Sequence, residues 1–183
     1  MESCHLASLT GVVKMLCMEG KKPSDSAVES RYLLMPNQAN PHGTAFGGAI
    51  VAWIDMVASM AAQRHCGKEV VTASIDSLSF REPIRVGDHV VLKASVNYVG
   101  HTSMEVGVRV IREDPYRRKA SLPGDAKQVI ATTAHLTFVA LDKDKHPCPV
   151  PPILPQTADE KRRYENAKLR VQARKDLLSK ITR

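Results

Sequence analysis

The spacing of hydrophobic residues changes along the chain, from a pattern typical of a helix to one typical of strands. Between residues 45 and 65 the apolar side chains leave no broad polar face on a helical wheel, which predicts a helix buried nearly all round. Further along, residues 90–98 and 104–110 alternate between apolar and polar, as half-buried strands do, and Gly100 lies in the hairpin connection between them. Two more strands are predicted over residues 71–80 and 128–141.

The order of one buried helix followed by antiparallel strands predicts an α+β fold. A helix with apolar residues on all sides has no face that can be left exposed to water, so the sheet must curve around it. Trp53 and Met60, both within this helix, are therefore predicted to belong to the core.

Changes in composition outside the central domain divide the chain into four parts. A mildly apolar stretch at residues 1–18, which favours a short helix, and a polar linker precede the domain. A strap with five prolines in ten residues follows it, and this content excludes regular structure. The predicted parts are an N-terminal extension (1–27), the central domain (28–142), a proline-rich strap (143–156) and a basic C-terminal helix (157–183).

The last part of the chain has the pattern of an amphipathic helix that ends near residue 179. Thr157 is a candidate N-cap, and two acidic residues follow it in the first turn. The apolar positions at helical spacing are Tyr164, Ala167, Val171 and Leu178. We expect this helix to pack across a neighbouring subunit.

Charge is distributed unevenly along the chain. Its 183 residues are 43% hydrophobic and 25% charged, which is ordinary for a globular protein and excludes disorder throughout. The net charge is +7, but residues 159–183 alone hold nine Lys or Arg against four Asp or Glu. The basic character therefore belongs mainly to the C-terminal helix. Because aromatic residues do not alternate with these basic residues and no groove-reading motif accompanies them, we expect no nucleic-acid partner.

Cysteine usage and hydropathy favour a cytoplasmic protein. The four cysteines show no spacing typical of a zinc site and are expected to be reduced thiols. No apolar run approaches the roughly 20 residues of a membrane helix, so no membrane partner is expected. A secretory signal is also not expected, because no small-residue cleavage site follows the first apolar stretch.

One acidic residue, Asp55, lies in the middle of the predicted buried helix. Burial disfavours the charged form of a carboxyl group and raises its pKa, which suits a base that activates water. The alternative is that Asp55 hydrogen-bonds a neighbouring loop at a subunit contact. Position alone leaves both interpretations open.

Two glycines, Gly47 and Gly48, precede Asp55 at the start of the same helix. Glycine lets a ligand approach the backbone, and a helix N-terminus offers unpaired N–H groups and the positive end of the helix dipole. Such groups stabilise a carbonyl oxygen that gains negative charge in a tetrahedral intermediate. We therefore expect the glycines and Asp55 to converge on one reacting carbonyl, within one chain or across a two-fold interface.

Three separated motifs carry a resemblance to a known family. They are residues 40–66 (NPHGTAFGGAIVAWIDMVASMAAQRHC), 70–88 (VVTASIDSLSFREPIRVGD) and 100–105 (GHTSME). Together they resemble hotdog-fold acyl-CoA thioesterases, in particular the subgroup of bacterial single-domain enzymes and animal tandem-domain acyl-CoA hydrolases. The resemblance extends over about residues 31–141.

The resemblance implies an enzyme that hydrolyses fatty acyl-CoA to free acid and CoA without a metal or organic cofactor. It implies a long helix wrapped by a curved antiparallel sheet, with two subunits pairing their sheets and the active sites at their interface. A trimer of such dimers is the expected assembly. In this interpretation Asp55 is the general base or nucleophile, and Asn40 and His42 contribute polar groups from the opposite subunit. Gly47 or Gly48 supplies the N–H for the carbonyl, and Thr72 lies near the thioester.

Recognition of CoA requires basic or polar groups for its phosphates. The candidates are Arg81, Arg85, Arg117 and Arg118, with His101, Thr102 and Ser103 in the hairpin. For each basic residue the alternative is an ordinary solvated surface charge.

Two other functions stay open at this stage. A non-catalytic hotdog module that binds acyl-CoA would have no evident use for a carboxylate near the thioester. A dehydratase would need a histidine to abstract a proton α to the thioester, and His42 is the nearby candidate.

Overall fold

The computed structural model describes residues 18–76, 78–115 and 128–181. Within them the chain forms five strands and two α-helices, joined by loops and two short 3₁₀ turns. The strands are β1 (Val28–Leu33), β2 (Glu69–Ile75), β3 (His89–Val99), β4 (Ser103–Glu113) and β5 (Val129–Leu141). The helices are α1 (Gly47–Cys66) and α2 (Ala158–Ile181).

The strands form one antiparallel sheet in the order β1-β3-β4-β5-β2. Helix α1 contacts all five strands, which requires the sheet to curl around it. The predicted α+β arrangement of a helix wrapped by a curved sheet is therefore confirmed. Strands β1 and β2 are the two edges of the sheet.

The core lies between α1 and the inner face of the sheet. Alternate residues of β3, β4 and β5 point inward and are fully buried, among them Leu92, Val106 and Phe138. Burial of each such side chain stabilises the fold by about 1.5–3 kcal/mol. Because successive side chains of a strand point to opposite faces, apolar residues are needed at every second position, which gives the period-two pattern.

One strand was missed, and several element boundaries differ from the prediction. Strand β1 (VESRYL) was not predicted, because its inward positions are only half-buried and include a serine. Strand β2 ends at Ile75, since the chain then leaves the sheet towards the start of β3. Helix α1 begins two residues later than expected, after Phe46.

Helix α1 is not buried all round. Trp53 is buried and stacks on Tyr32 with ring centroids 4.4 Å apart, as expected for a core residue. The prediction that Met60 lies in the core is wrong, since Met60 and Met56 are 46% and 43% exposed. Val71 on the edge strand β2 is similarly exposed. The helix and this edge of the sheet therefore leave apolar surface uncovered by their own chain.

Helix α2 lies on the outer face of the sheet of its own chain. Thr157 and Glu160 cap its start reciprocally, each side chain accepting the other's backbone N–H. Of the apolar positions predicted to pack, Ala167 is fully buried and Tyr164 packs partly against the core, whereas Leu178 is exposed. Packing against a neighbouring subunit is therefore not the role of the first part of this helix.

Three arginines of α2 anchor the helix to the sheet. Arg163 donates to Ser95, Arg170 donates with two nitrogens to Glu105, and Arg174 donates to Asp76. The contacts of the helix are thus largely polar, because the outer face of β3, β4 and β5 carries polar residues between its buried ones.

The proline-rich strap covers the C-terminal end of α1. Val150 is fully buried in the core, and Lys21 forms a parallel bridge with Ile153. His65, at the end of α1, contacts the strap through Nε2, 2.8 Å from the carbonyl oxygen of Pro151. Residues 1–17, with the predicted first helix, lie outside the described residues, and the division into four parts stays a prediction.

Two observations bear on the state of the cysteines and on membrane association. Cys66 and Cys148 are free and buried, while Cys4 and Cys17 lie outside the described residues. Among residues 18–76, 78–115 and 128–181 there is no helix with the length and apolar character needed to cross a membrane.

We expect the stability of the fold to fall in mild acid because of His65. Burial lowers the pKa of its imidazole. A second proton would bind to Nδ1, which has no hydrogen-bond partner among the described residues, so the charged form would be left without an acceptor for this N–H. The unfolded chain, with a pKa near 6.5, therefore binds the proton first. The free energy of unfolding should fall below that pH by up to about 1.4 kcal/mol per pH unit for this group.

Urea unfolding between pH 5 and 8 measures this effect. The variant His65→Gln should show a shallower acid slope, whereas His101→Gln, at an exposed position, should retain the slope of the parent. An unchanged slope in His65→Gln would contradict the assignment.

Candidate active site

Asp55 projects from α1 towards the edge strand β2. The hydroxyl of Thr72 on β2 donates a hydrogen bond of 2.8 Å to its Oδ1. The expectation that Asp55 is buried is wrong for a single chain: the residue is partly exposed, because it lies on the uncovered side of α1. Strand and helix together fix one carboxylate oxygen and leave the other open to solvent or a ligand.

The first turn of α1 presents its backbone towards a cavity. The amides of Ala49 and Ile50 donate to the carbonyl of Phe46, whereas those of Gly47 and Gly48 donate to no backbone acceptor within the described part of the chain. Both N–H groups are therefore suited to bind an oxyanion.

A side chain at Gly48 would crowd this helix start, whereas one at Gly47 would make an ordinary contact. A Cβ on Gly48 would lie 2.5 Å from the Phe46 ring, and a Cβ on Gly47 would lie 3.5 Å from the ring of Phe80. Gly47, Phe80 and Arg81 line a cavity of about 360 Å³ beside the helix. Gly48 is therefore the position at which a side chain would force the Phe46 ring to move.

Gly48 and Asp55 lie on the same face of α1, because seven residues make nearly two full turns. Their separation along the axis is about 10 Å. A helical side chain leans towards the N-terminus, which shortens the gap for the carboxylate. The remaining distance accommodates a thioester carbonyl and a water molecule, but it does not let both groups contact the same atom.

The loop before α1 is organised by Asn40. Its Oδ1 accepts from the backbone N–H groups of His42 and Thr44, and its Nδ2 donates to the hydroxyl of Thr44. One Nδ2 hydrogen has no partner among the described residues, since an amide nitrogen has two. Gly43 has a φ of 71°, which this turn requires, and the side of the loop with His42 is exposed.

The predicted CoA-binding residues fall into three groups. Arg81 and Arg85 are exposed at the same end of the molecule as the start of α1, with Arg85 bridged to Thr44. The hairpin residues His101, Thr102 and Ser103 lie at the other end, where the carbonyls of His101 and Thr102 accept from Val150 and Ala140. Arg117 and Arg118 lie outside the described residues.

One chain therefore does not assemble all of these groups. Helix α1 has 20 residues and is about 30 Å long, so the hairpin and the glycines at its start are far apart. The chain brings together Asp55 with Thr72, and separately Gly47 with Arg81. Sequence reasoning from the residues alone missed the contact of Asp55 with Thr72, for which only the family resemblance gave a signal.

Comparison with known proteins agrees with this architecture. Residues 42–119 match the family model described as the thioesterase superfamily. The uncharacterized acyl-CoA thioester hydrolase YkhA of Bacillus subtilis is 41% identical over 160 residues, covering 87% of this chain and 85% of YkhA. Acyl-coenzyme A thioesterase 11 of Mus musculus is 42% identical over 149 residues, which cover 81% of this chain and 24% of the mouse protein.

Solved structures give the same result. An acyl-CoA hydrolase from Staphylococcus aureus, in complex with butyryl coenzyme A and coenzyme A, is 38% identical with a TM-score of 0.79, covering 88% of this chain and 95% of the other. An apo-hexameric acyl-CoA thioesterase is 37% identical with a TM-score of 0.81, covering 88% of this chain and 98% of the other.

Variants of the Staphylococcus aureus enzyme supply one further correspondence. Its structures include alanine replacements of an asparagine, an aspartate and a threonine, which lie 15 and 17 residues apart in that order. Asn40, Asp55 and Thr72 have the same spacing.

The wrapped helix and the matches over most of the chain define its class. The chain belongs to the thioesterase superfamily and has the hotdog fold. It is a thioester-hydrolysing enzyme, related to both the bacterial acyl-CoA hydrolases and the animal acyl-CoA thioesterases.

Proposed function

We propose that the enzyme hydrolyses fatty acyl-CoA to free fatty acid and CoA in the cytoplasm. The observation that carries this proposal is the Asp55 carboxylate, held by Thr72, on the same helix as the N–H groups of Gly47 and Gly48, which donate to no backbone acceptor within the described residues. A base and an oxyanion site at this spacing are what hydrolysis of a carbonyl compound needs. The buried free thiols of Cys66 and Cys148 support a reducing compartment.

In the proposed reaction Asp55 acts as general base on a water molecule. It takes a proton from the water, whose oxygen attacks the thioester carbon, and the carbonyl oxygen becomes an oxyanion held by a glycine N–H. The intermediate then breaks its carbon–sulfur bond, and the leaving thiolate takes the proton from Asp55. The gap of about 10 Å between Gly48 and Asp55 along the helix axis supports this route over direct attack by the carboxylate.

We further propose that the site is completed by a second subunit. Met56 and Met60 of the same helix are exposed, as is Val71 on the outer face of β2, and β2 is an edge strand. Pairing β2 with its copy would cover this apolar surface and satisfy the strand edge. The loop of the opposite subunit would then bring two groups to the thioester carbonyl, the second Nδ2 hydrogen of Asn40 and the side chain of His42. A trimer of such dimers is the proposed assembly.

The basic residues near the helix start are proposed to bind CoA. Arg81 lines the cavity beside Gly47, and Arg85 lies exposed at the same end of the molecule. Both are in position to pair with phosphate groups of a ligand whose thioester reaches the helix. His101, Thr102 and Ser103 would serve only from another subunit, and the roles of Arg117 and Arg118 stay predictions.

Thiol release from a series of C4 to C18 acyl-CoA substrates tests this function. We expect turnover, with the chain-length profile reporting the shape of the acyl pocket. Tight binding of acyl-CoA without release of thiol would contradict hydrolysis and indicate a binding module.

Thr72 is expected to act as a positioning residue for Asp55. The variant Thr72→Val removes the hydroxyl but keeps the volume, and we expect kcat to fall about 10- to 100-fold with little change in KM, since one hydrogen bond to a charged group contributes about 1.5–3 kcal/mol. Thr72→Ser should restore most of the rate. Equal rates for Thr72→Val and the parent would show that the bond does not orient the base.

A further inference from the structure

Helix α2 carries one continuous stripe of residues at heptad spacing, alternating in steps of four and three. The stripe consists of Arg163, Ala167, Arg170, Arg174, Leu177 and Ile181. The first four members face the sheet of their own chain, through the buried Ala167 and the three arginine contacts described above. The last two members lie on the same face of the helix but have left this surface.

The contacts show that α2 crosses the strands. Arg163 meets Ser95 on β3, Arg170 meets Glu105 on β4, and Arg174 meets Asp76 directly after β2. The 11 residues from Arg163 to Arg174 span about 16 Å of helix, and the three strand spacings from β3 to β2 span about 14 Å. The helix therefore runs nearly across the sheet and reaches its β2 edge at Arg174.

The end of α2 extends beyond this edge. From Arg174 to Ile181 the helix continues for about 10 Å, or two strand spacings. Leu177 and Ile181 are 59% and 65% exposed, although they continue the sheet-facing stripe. Two apolar residues on the inner face of a helix, just past an unpaired strand edge, predict a further layer of sheet beneath them.

We propose that the end of α2, through Leu177 and Ile181, packs on the outer face of a second copy of this chain, paired at β2. This inference rests on the pairing of β2 edges proposed above. It differs from that pairing in assigning a contact to the C-terminal helix, outside the strands and the active site.

The outer face of β2 offers a matching apolar residue. Val71 pairs with Val139 of β5, one position from the inward Phe138, so it faces outward and is 46% exposed. Its own α2 contacts the end of this strand through the bond from Arg174 to Asp76. In a two-fold antiparallel pair the end of one strand lies beside the beginning of the other, which places Leu177 of one subunit above Val71 of the partner subunit.

Both helices of such a pair fit over the junction. Val71 and Asp76 are five residues apart, about 16 Å along the strand, and a helix with its side chains needs about 10–12 Å. Each α2 would thus pack on the outer face of the other subunit's sheet and hold the two sheets together, like a lock. Because Asp55 and the Asn40 loop are proposed to meet only in the dimer, this lock would keep the active site assembled at low protein concentration.

Sedimentation velocity over a range of concentrations tests the contact. We expect Leu177→Asp/Ile181→Asp to raise the dimer dissociation constant at least 10-fold, and to lower specific activity only where the dimer dissociates. Leu169→Asp is the matched control, since Leu169 is exposed on the same helix but lies outside the stripe. Unchanged dissociation of the double variant would overturn the contact, while activity and dimerisation would still support the proposed function.

Disulfide trapping tests the position directly. In Val71→Cys/Leu177→Cys we expect mild oxidation to give a covalent dimer, and neither single variant should give one. Failure to form this dimer in a protein that sediments as a dimer would overturn the placement of the helix end.

Discussion

Replacement of Asp55 with asparagine is expected to lower kcat by about 10²–10⁴-fold, the usual contribution of a positioned general base. Asparagine retains the shape of the side chain and still accepts the hydrogen bond of Thr72, but it cannot take a proton from water. Because the fold does not use the carboxylate charge, the melting temperature should stay close to that of the parent. Steady-state thiol release, combined with circular dichroism, measures both quantities.

The matched control for this variant is Asp144→Asn. Asp144 lies in an exposed turn far from α1 in sequence, and the same chemical change there should leave kcat unaltered. If Asp55→Asn retains a rate within twofold of the parent, the base lies elsewhere, and Asn40 and His42 become the residues to test.

The largest effect on stability is expected for Arg170→Met. Glu105 has no exposed side-chain surface, and its carboxylate is paired with Arg170 at 2.6 Å. Removing the arginine leaves a buried charge without its partner, which costs about 3–5 kcal/mol for a fully buried pair and about 2–4 kcal/mol here, since Arg170 is partly exposed. Urea unfolding should show this loss in the free energy of unfolding.

Two further variants separate the ion pair from other effects of the substitution. Glu105→Gln/Arg170→Met removes both charges and should recover most of the lost stability. Arg162→Met removes an exposed pair with Asp159 on the same helix and should change stability little. A double variant as unstable as Arg170→Met would show that packing, not charge, holds the helix at this point.

The predictable part of the fold is the part whose burial comes from its own chain. Strands β3, β4 and β5 alternate because one face of each packs on α1, and that period is visible in the sequence. Strand β1 lies at an edge with only half-buried inward positions, so its pattern was too weak to predict.

Helix α1 shows where a single sequence misleads. Met56 and Met60 have the apolar character of core residues, yet their own sheet does not cover them. A hydrophobic pattern indicates that a side chain is buried, but it does not indicate whether its own chain or another subunit covers it. The same argument explains why Asp55 was expected to be buried and is partly exposed in one subunit.

The candidate site was predictable only in part for a similar reason. The glycines and Asp55 share one helix, so their relation follows from helical geometry. The contact of Asp55 with Thr72 joins residues 17 positions apart through the packing of β2 on α1, and no local pattern specifies it. The arginine stripe of α2 was missed because a search for apolar residues passes over positions that bind through charge.

The central claim is that the active site combines Asp55 of one subunit with the Asn40 loop of its partner. Co-expression of Asp55→Asn with Asn40→Ala, each of which is expected to be inactive alone, tests it most directly. Random assembly makes half of the dimers mixed, and each mixed dimer holds one intact site, so activity should recover to about a quarter of the parent. Activity no higher than the sum of the two variants, in mixed dimers isolated through two different tags, would contradict the shared site.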